Sequence, residues 1–589
     1  MATRTVANGG GNFNATGTWV EGAVPTAADA VVFTATSGQL TVNVASVCLS
    51  IDFTNYTNTI TFTNSLTVSG NITLAAGFTQ AGASGIIINA NSTLTSNGVT
   101  WSRTFTTSAG AGVTIILSLV GNWTQTGTTT FNSGGTATTY TTINSNSFIF
   151  GTGSYNVNIT AATNVNGSAT MLVGGSSGLV SFGSSNGCYQ LNFTINTGGS
   201  VQFTGTFQFA NATLTYTSGT VVTTGSTLQI PYSVSGQTVT FNTGSLVWTN
   251  VTFGSSGALI TLTLPSNLLW SGSLTIQNAM SFAGTGKLTP ANNTTTTLAF
   301  YPQNASCDNS SAFPSTLNLK NIILNPGAPT YPVFYTITLN GITININGGL
   351  NHTSGVIVGT AVFNFIGTGT LIGSNGGSGA SYIQNNININ TSGTITLGST
   401  LAFNGGTFTY TAGTVVTTGN TLIMYLLGTT TGSSTTTLNT NGISWNNVIL
   451  YNSTMTFVLN STFTVTGLVN SQQNGTFIFA GTAGFVFNNF SQQYSSGFSM
   501  TLKAGNTYRI NGGFYYATGY NPGHGVIKSD TTSSAAKLIF SYGAACNISY
   551  MDFTDIDASG GRTINIFVGA TPVRCTNVRT YTDLPTIGS

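Results

Sequence analysis

The sequence predicts an all-β fold: an elongated right-handed parallel β-helix, or β-solenoid, with an atypical N-terminal module and a C-terminal β cap. Three observations carry this expectation. They are a composition poor in charge and helix formers, a six-residue hydrophobic spacing, and a long internal duplication.

Hydrophobic residues make up 40% and aromatics 11% of the 589 residues, enough apolar surface to offset the entropy of ordering the chain. Thr, Ser, Asn and Gly dominate the rest. Thr favours pleated strands, whereas Gly and Asn supply tight turns. Glu21 is the only glutamate, and charged residues amount to 3%, against roughly a quarter in ordinary soluble domains. Between Arg103 and Lys503 only Lys287, Asp308 and Lys320 carry charge. Most enzymatic chemistry needs positioned ionisable groups, so the deficit points to scaffold and surface.

The length exceeds what one compact core supports and calls for modules or a repeat. A net charge of +2, scattered along the chain, argues against a nucleic-acid partner. The most apolar run, Val113 to Val120, is too short to insert into a membrane and contains Thr114 and Ser118, where a spanning helix needs about 20 apolar residues. The N-terminus lacks the apolar core of a signal peptide. With Met1 as the native start, assembly inside a cell is expected. Cys48, Cys188, Cys307, Cys546 and Cys575 are odd in number and form no C-x-x-C pair. They read as small buried residues rather than a disulfide or metal framework, and no cofactor is expected.

Ile60, Leu66, Ile72 and Phe78 recur every six residues, with apolar and polar residues alternating as in Leu66-Thr67-Val68. Alternation marks strands with one buried face, and the Asn, Ser and Gly between them mark turns. Short strands and tight turns suit a solenoid whose coils stack over a continuous core. Above this runs a longer repeat. Leu214-Thr-Tyr-Thr-Ser-Gly-Thr-Val-Val-Thr-Thr-Gly-Ser-Thr-Leu228 returns as Phe408-Thr-Tyr-Thr-Ala-Gly-Thr-Val-Val-Thr-Thr-Gly-Asn-Thr-Leu422. Each copy precedes a landmark, Trp248-Thr-Asn-Val-Thr-Phe253 or Trp445-Asn-Asn-Val-Ile-Leu450, and related landmarks carry Asn or Asp before an apolar strand. Their uneven spacing predicts loops of variable length.

Three domains are expected: an attachment or capping module over 1–45, a solenoid shaft over 46–502, and a charged, Tyr-rich cap or tip over 503–589. The last segment holds 12 of the 20 charges, which suits the polar outer face that a terminal repeat requires. The opening contains Gly17, Trp19, Pro25, Asp29, Val31 and Phe33 in a G-x-W…P-x-x-x-D-x-V-x-F pattern, followed by Ser65-Leu-Thr-Val-Ser-Gly-Asn-Ile-Thr-Leu74. This pattern, with Tyr550-Met-Asp-Phe-Thr-Asp-Ile-Asp-Ala-Ser-Gly-Gly561 near the end, resembles large β-solenoid repeat proteins of bacteriophage virions, their metagenomic relatives and bacterial surface adhesins. The resemblance covers the ends in detail and the middle in style. It implies a structural or adhesive role and supplies no catalytic residues.

A tailspike-type glycosidase needs two carboxylates flanking the sugar bond, and Asp308 is the sole carboxylate between Arg103 and Lys503. Only Asp552, Asp555 and Asp557 offer a candidate metal or glycan contact, since Asp555 and Asp557 on one strand would share a face. The alternative is that they act as turn acceptors balanced by Arg562, Arg574 and Arg579. His352 lies in a turn-like setting without a nearby acid, and His524 in Pro522-Gly-His-Gly525, where the glycines suggest a tight bend. Gly373 to Gly379 lacks the lysine and helix of a phosphate loop. Phe62 and Phe203 read as core. Tyr508, Tyr515, Tyr516 and Tyr520 form a candidate recognition cluster, because tyrosine stacks on sugars and is common at interfaces.

The expected function is a non-enzymatic structural component of a bacteriophage virion: a fibre, spike or surface decoration contributing to host attachment. It would be assembled in the host cytoplasm and sit on the virion surface. Expected partners are other virion structural proteins, further copies of the chain (a trimer is favoured), and a host-surface glycan or protein. The alternatives are a secreted bacterial adhesin or surface-layer protein, and a depolymerase with its site between subunits.

Overall fold

The computed structural model describes every residue outside 111–112, 134–138, 160–162, 185–187, 232–237, 255–259, 278–279, 302–306, 309, 326–335, 374–380, 399, 426–433, 452–453, 473–474, 493–497, 517–524, 542–546, 568–571 and 582–589. The chain is all-β, 60% strand and 1% helical, and its parallel stacked sheets form a β-solenoid of about 20 turns. It divides into two compact units, Met1–Ala291 and Asn292–Ser589.

In the first unit the six-residue spacing is the length of one side of a turn. Strands Thr59–Phe62, Leu66–Val68 and Ile72–Thr73 form three successive sides. The chain then stacks on itself: Gln80 pairs with Ile60, Ile86 with Leu66, and Leu94 with Ile72. Each side returns one layer later in the same direction, so every strand ladder among the described residues is parallel. The alternating apolar residues point inward. Ile60, Phe62, Leu66, Val68, Ile72 and Leu74 are all fully buried; each such side chain contributes ~1.5–3 kcal/mol from burial. Aromatics continue the inner columns: Phe53 stacks between Phe33 and Phe78 at ring-centroid distances of 4.9 and 4.4 Å.

The recurring Asn has a structural task. Its side-chain carbonyl accepts a backbone N–H at the same corner one turn later. Asn71 Oδ1 accepts from Thr93 N at 2.9 Å, Asn192 Oδ1 from Thr213 N at 3.0 Å, and Asn250 Oδ1 from Ser273 N at 3.0 Å. In the second unit Asn321 and Asn447 accept in the same way from Gly349 N and Leu468 N, at 2.9 and 3.0 Å. Corners cannot continue the strand ladder, so a side chain supplies the partner that a backbone N–H requires.

The second unit adds an amide ladder on an outer face. Asn345 Nδ2 donates to Asn318 Oδ1, Asn364 Nδ2 to Asn345 Oδ1 and Asn388 Nδ2 to Asn364 Oδ1, at 2.8, 2.8 and 3.0 Å. These residues sit in register on Thr316–Leu319, Thr343–Ile346, Val362–Phe365 and Asn386–Leu397.

The two ends are built from the same turns. Thr3–Thr5 pairs with Ala30–Val32, which pairs with Ser50–Asp52. After Lys503, Thr507–Ile510 pairs with Ala536–Phe540, Gly525–Ser529 with Met551–Thr554, and Ile564–Phe567 with Val578–Tyr581. The first turn also carries an antiparallel bridge, Val6 to Trp19, and a short 3-10 helix, Thr16–Thr18.

Candidate functional site

The N-terminal landmarks lock the first turn. Trp19 is 2% exposed; its indole Nε1–H donates to Phe13 O at 2.9 Å, and its ring packs edge-on to Phe13. Pro25, six residues later, is also buried. Asp29, 5% exposed, accepts from Thr26 N, Thr26 Oγ1 and Ala2 N at 3.0, 2.9 and 3.2 Å, and Arg4 Nε lies 3.5 Å away. The Thr26 hydrogen bonds, followed by Ala2 and Arg4, hold its carboxyl down at about 2. The G-x-W…P-x-x-x-D motif therefore works as a structural clasp.

The C-terminal aspartates separate. Asp555 is 3% exposed and has φ +54°, so it sits at a corner between Met551–Thr554 and Ile556–Asp557 rather than on a strand. Arg574 grips it with two bonds, Nε to Oδ1 at 2.6 Å and the guanidinium NH2 group to Oδ2 at 2.7 Å. This fork-to-fork pairing favours the charged carboxylate, and the Arg574 hydrogen bonds lower the Asp555 pKa. Asp557 Oδ1 instead accepts from Ser559 N at 2.9 Å, a turn contact that lowers its pKa. Asp552 stands at the register position opposite Val526 and is not free either. Among the described residues no three His, Cys, Asp or Glu side chains converge on a metal position.

The tyrosine cluster also divides. Tyr508 is fully buried on Thr507–Ile510; its ring lies 4.9 Å from Phe485 and its hydroxyl accepts from Lys503 N at 2.9 Å. It belongs to the core because alternation on that strand turns it inward. Tyr515, by contrast, is 56% exposed. Tyr516 follows it on Phe514–Tyr516, with its side chain outside the described residues, as are Tyr520 and His524.

His352 lies inside the second unit, fully buried on Leu350–His352. Its Nε2 bonds Gly355 O at 2.9 Å, and Nδ1 has no partner among the described residues. Burial lowers its pKa to about 4, so it is a neutral core residue near pH 7. Cys48 and Cys188 are free and buried, as their sequence setting suggested, and burial pushes the Cys48 thiol up to about 12.

The sequence did not mark the surface grooves. In the second unit an open groove of about 420 Å³ is lined by Thr297, Asn321, Ile323, Gly349, Asn351 and Ile372. In the first unit another, about 470 Å³, lies along Asn97, Val120, Asn122 and Ile149. Neither groove carries an ionisable lining residue. No family model matches the chain, and neither a curated protein nor a solved structure is similar to it.

Proposed function

We propose that this chain is a structural, non-enzymatic component of a bacteriophage virion, a self-associating fibre, spike or surface decoration that contributes to host attachment. The observation that carries this reading is how the scarce carboxylates are used. Glu21, Asp29, Asp52, Asp308, Asp530, Asp555 and Asp557 each accept a bond from their own or an adjacent turn. They serve the scaffold, and between Arg103 and Lys503 only Lys287, Asp308 and Lys320 carry charge. Stacked turns so poor in charge suit a structural element whose contacts are made by shape and hydrogen bonding.

The test is immunogold electron microscopy with mass spectrometry of purified phage particles from the source. The expected result is the protein on the particle surface, together with competition by the purified protein for host adsorption. Its location on a bacterial envelope would replace this reading with the adhesin. Release of reducing ends from host polysaccharide, lost on changing Asp552, Asp555 and Asp557 to Asn, would replace it with a depolymerase.

A further inference from the structure

The duplicated segment is kept at exposed positions as well as buried ones. Twelve of the fifteen positions in 214–228 and 408–422 are identical, the exceptions being Leu214/Phe408, Ser218/Ala412 and Ser226/Asn420. The first pair is buried and the second exposed, and the exposed Thr217, Thr220 and Thr224 recur as exposed Thr411, Thr414 and Thr418. A repeat held only by folding keeps its inward positions and lets outward ones drift.

Some of the identity is structural. Tyr216 and Tyr410 donate their hydroxyls to Gly219 O and Gly413 O, both at 2.7 Å. Gly219 and Gly413 have φ +114° and +112°, which favours glycine. Thr223 and Thr417 donate to Val247 O and Ser444 O at 2.8 and 2.6 Å. None of this accounts for the three exposed threonines or for the paired valines between them.

The strands themselves supply the reason. Thr213–Val222 and Thr407–Val416 are ten residues long and pair with the turn before from Leu214 to Val222 and from Phe408 to Val416, with register shifts midway. The turn after pairs only with their first three residues: Thr213–Thr215 with Thr240–Asn242, and Thr407–Thr409 with Thr437–Asn439. Among the described residues no ladder covers the far side of Thr220–Val222 or Thr414–Val416. Each unit thus carries a ledge with an uncovered strand edge. Such edges are ordinarily blunted with charge or proline, and neither occurs in 214–228 or 408–422. Thr220-Val-Val-Thr223 and Thr414-Val-Val-Thr417 also read the same in both directions. Antiparallel pairing of such a segment with itself sets Thr opposite Thr and Val opposite Val, cross-strand pairs that favour a two-fold contact.

We infer that the edges at Thr220–Val222 and Thr414–Val416 are docking strands for a second copy of this chain, joined by antiparallel strand addition. This deepens the self-association in the proposed function and is independent of the virion assignment, because it is read on the purified protein alone.

The test is sedimentation equilibrium of the full chain over a range of concentrations. The wild type is expected to associate. The double variant Thr220→Lys, Thr414→Lys places like charges on opposed edges and is expected to dissociate at least ~10-fold more readily, with thermal unfolding unchanged. The double variant Thr220→Val, Thr414→Val keeps the backbone edge and is expected to associate like the wild type. Three results would each overturn the inference: a monomeric wild type at every concentration, undiminished association of the lysine variant, or equal loss in the valine variant. The last would assign the contact to the threonine hydroxyls and not to the backbone edge.

Discussion

The turns over residues 59–95 and the ledges at 214–228 and 408–422 use the same residue types for different ends. In the early turns each side is four residues or fewer, and Thr59–Phe62, Leu66–Val68 and Ile72–Thr73 are each covered by the next layer. In the ledges a strand of ten residues overruns the turn that follows it. Coverage makes the first region scaffold. Loss of coverage turns the second into surface. The same Thr that completes a neutral face at Thr67 borders an uncovered backbone edge at Thr220.

That comparison is breakable by substitution. The largest effect should come from the core that closes the turn after the ledge. Trp248 is fully buried against Phe203, 4.9 Å away, and Trp248→Ala should cost ~3–5 kcal/mol in denaturant unfolding. Thr217→Ala, on the exposed ledge, should stay within about 0.5 kcal/mol. Equal losses would erase the distinction.

Next in size is the bend that launches the ledge. A Cβ on Gly413 would lie 2.8 Å from both Thr391 O and Thr391 Cγ2, at φ +112°. Gly413→Ala should therefore cost ~1–3 kcal/mol, with Gly219→Ala behaving alike.

A covered turn should also reveal its buried polar group through pH. His352 has a folded pKa of about 4 against an ordinary 6.5, so below 6.5 the unfolded chain takes up a proton that the folded chain refuses. Stability should be level above pH 6.5 and fall by ~1.4 kcal/mol per pH unit toward pH 4. His352→Leu should remove that portion of the slope in unfolding curves taken at pH 7 and 5.

The smallest effect tests the corner staples. Asn250→Ala removes the acceptor for Ser273 N and Ser273 Oγ and should cost ~0.5–1.5 kcal/mol without altering self-association.

Much of this was legible in the sequence because solenoid physics is local. The spacing of Ile60, Leu66 and Ile72 gave the sides of a turn directly, and the Trp-Asn landmarks located the staples before their task was known. Cys48 and Cys188 were readable as core because each lies four residues before a recurring Asn or Asp, Asp52 or Asn192. Other features depend on the neighbouring layer and leave no mark on their own segment. Tyr508 looks like a surface tyrosine among charges until its strand is seen to alternate inward onto Phe485. Asp555 and Asp557 share a strand spacing, but a corner with φ +54° at Asp555 turns them apart and delivers one to Arg574, 19 residues later. The ledges were visible as a duplication, yet their open edge depends on how short the next turn is at residues 243–246.

Hydrogen exchange of the full chain at low and high concentration tests the central contrast most directly. Amides of Thr220–Val222 and Thr414–Val416 should gain protection as concentration rises, while those of Leu66–Val68 stay equally protected throughout. Protection at the ledges that does not depend on concentration, or that rises equally in the covered turns, would contradict the account.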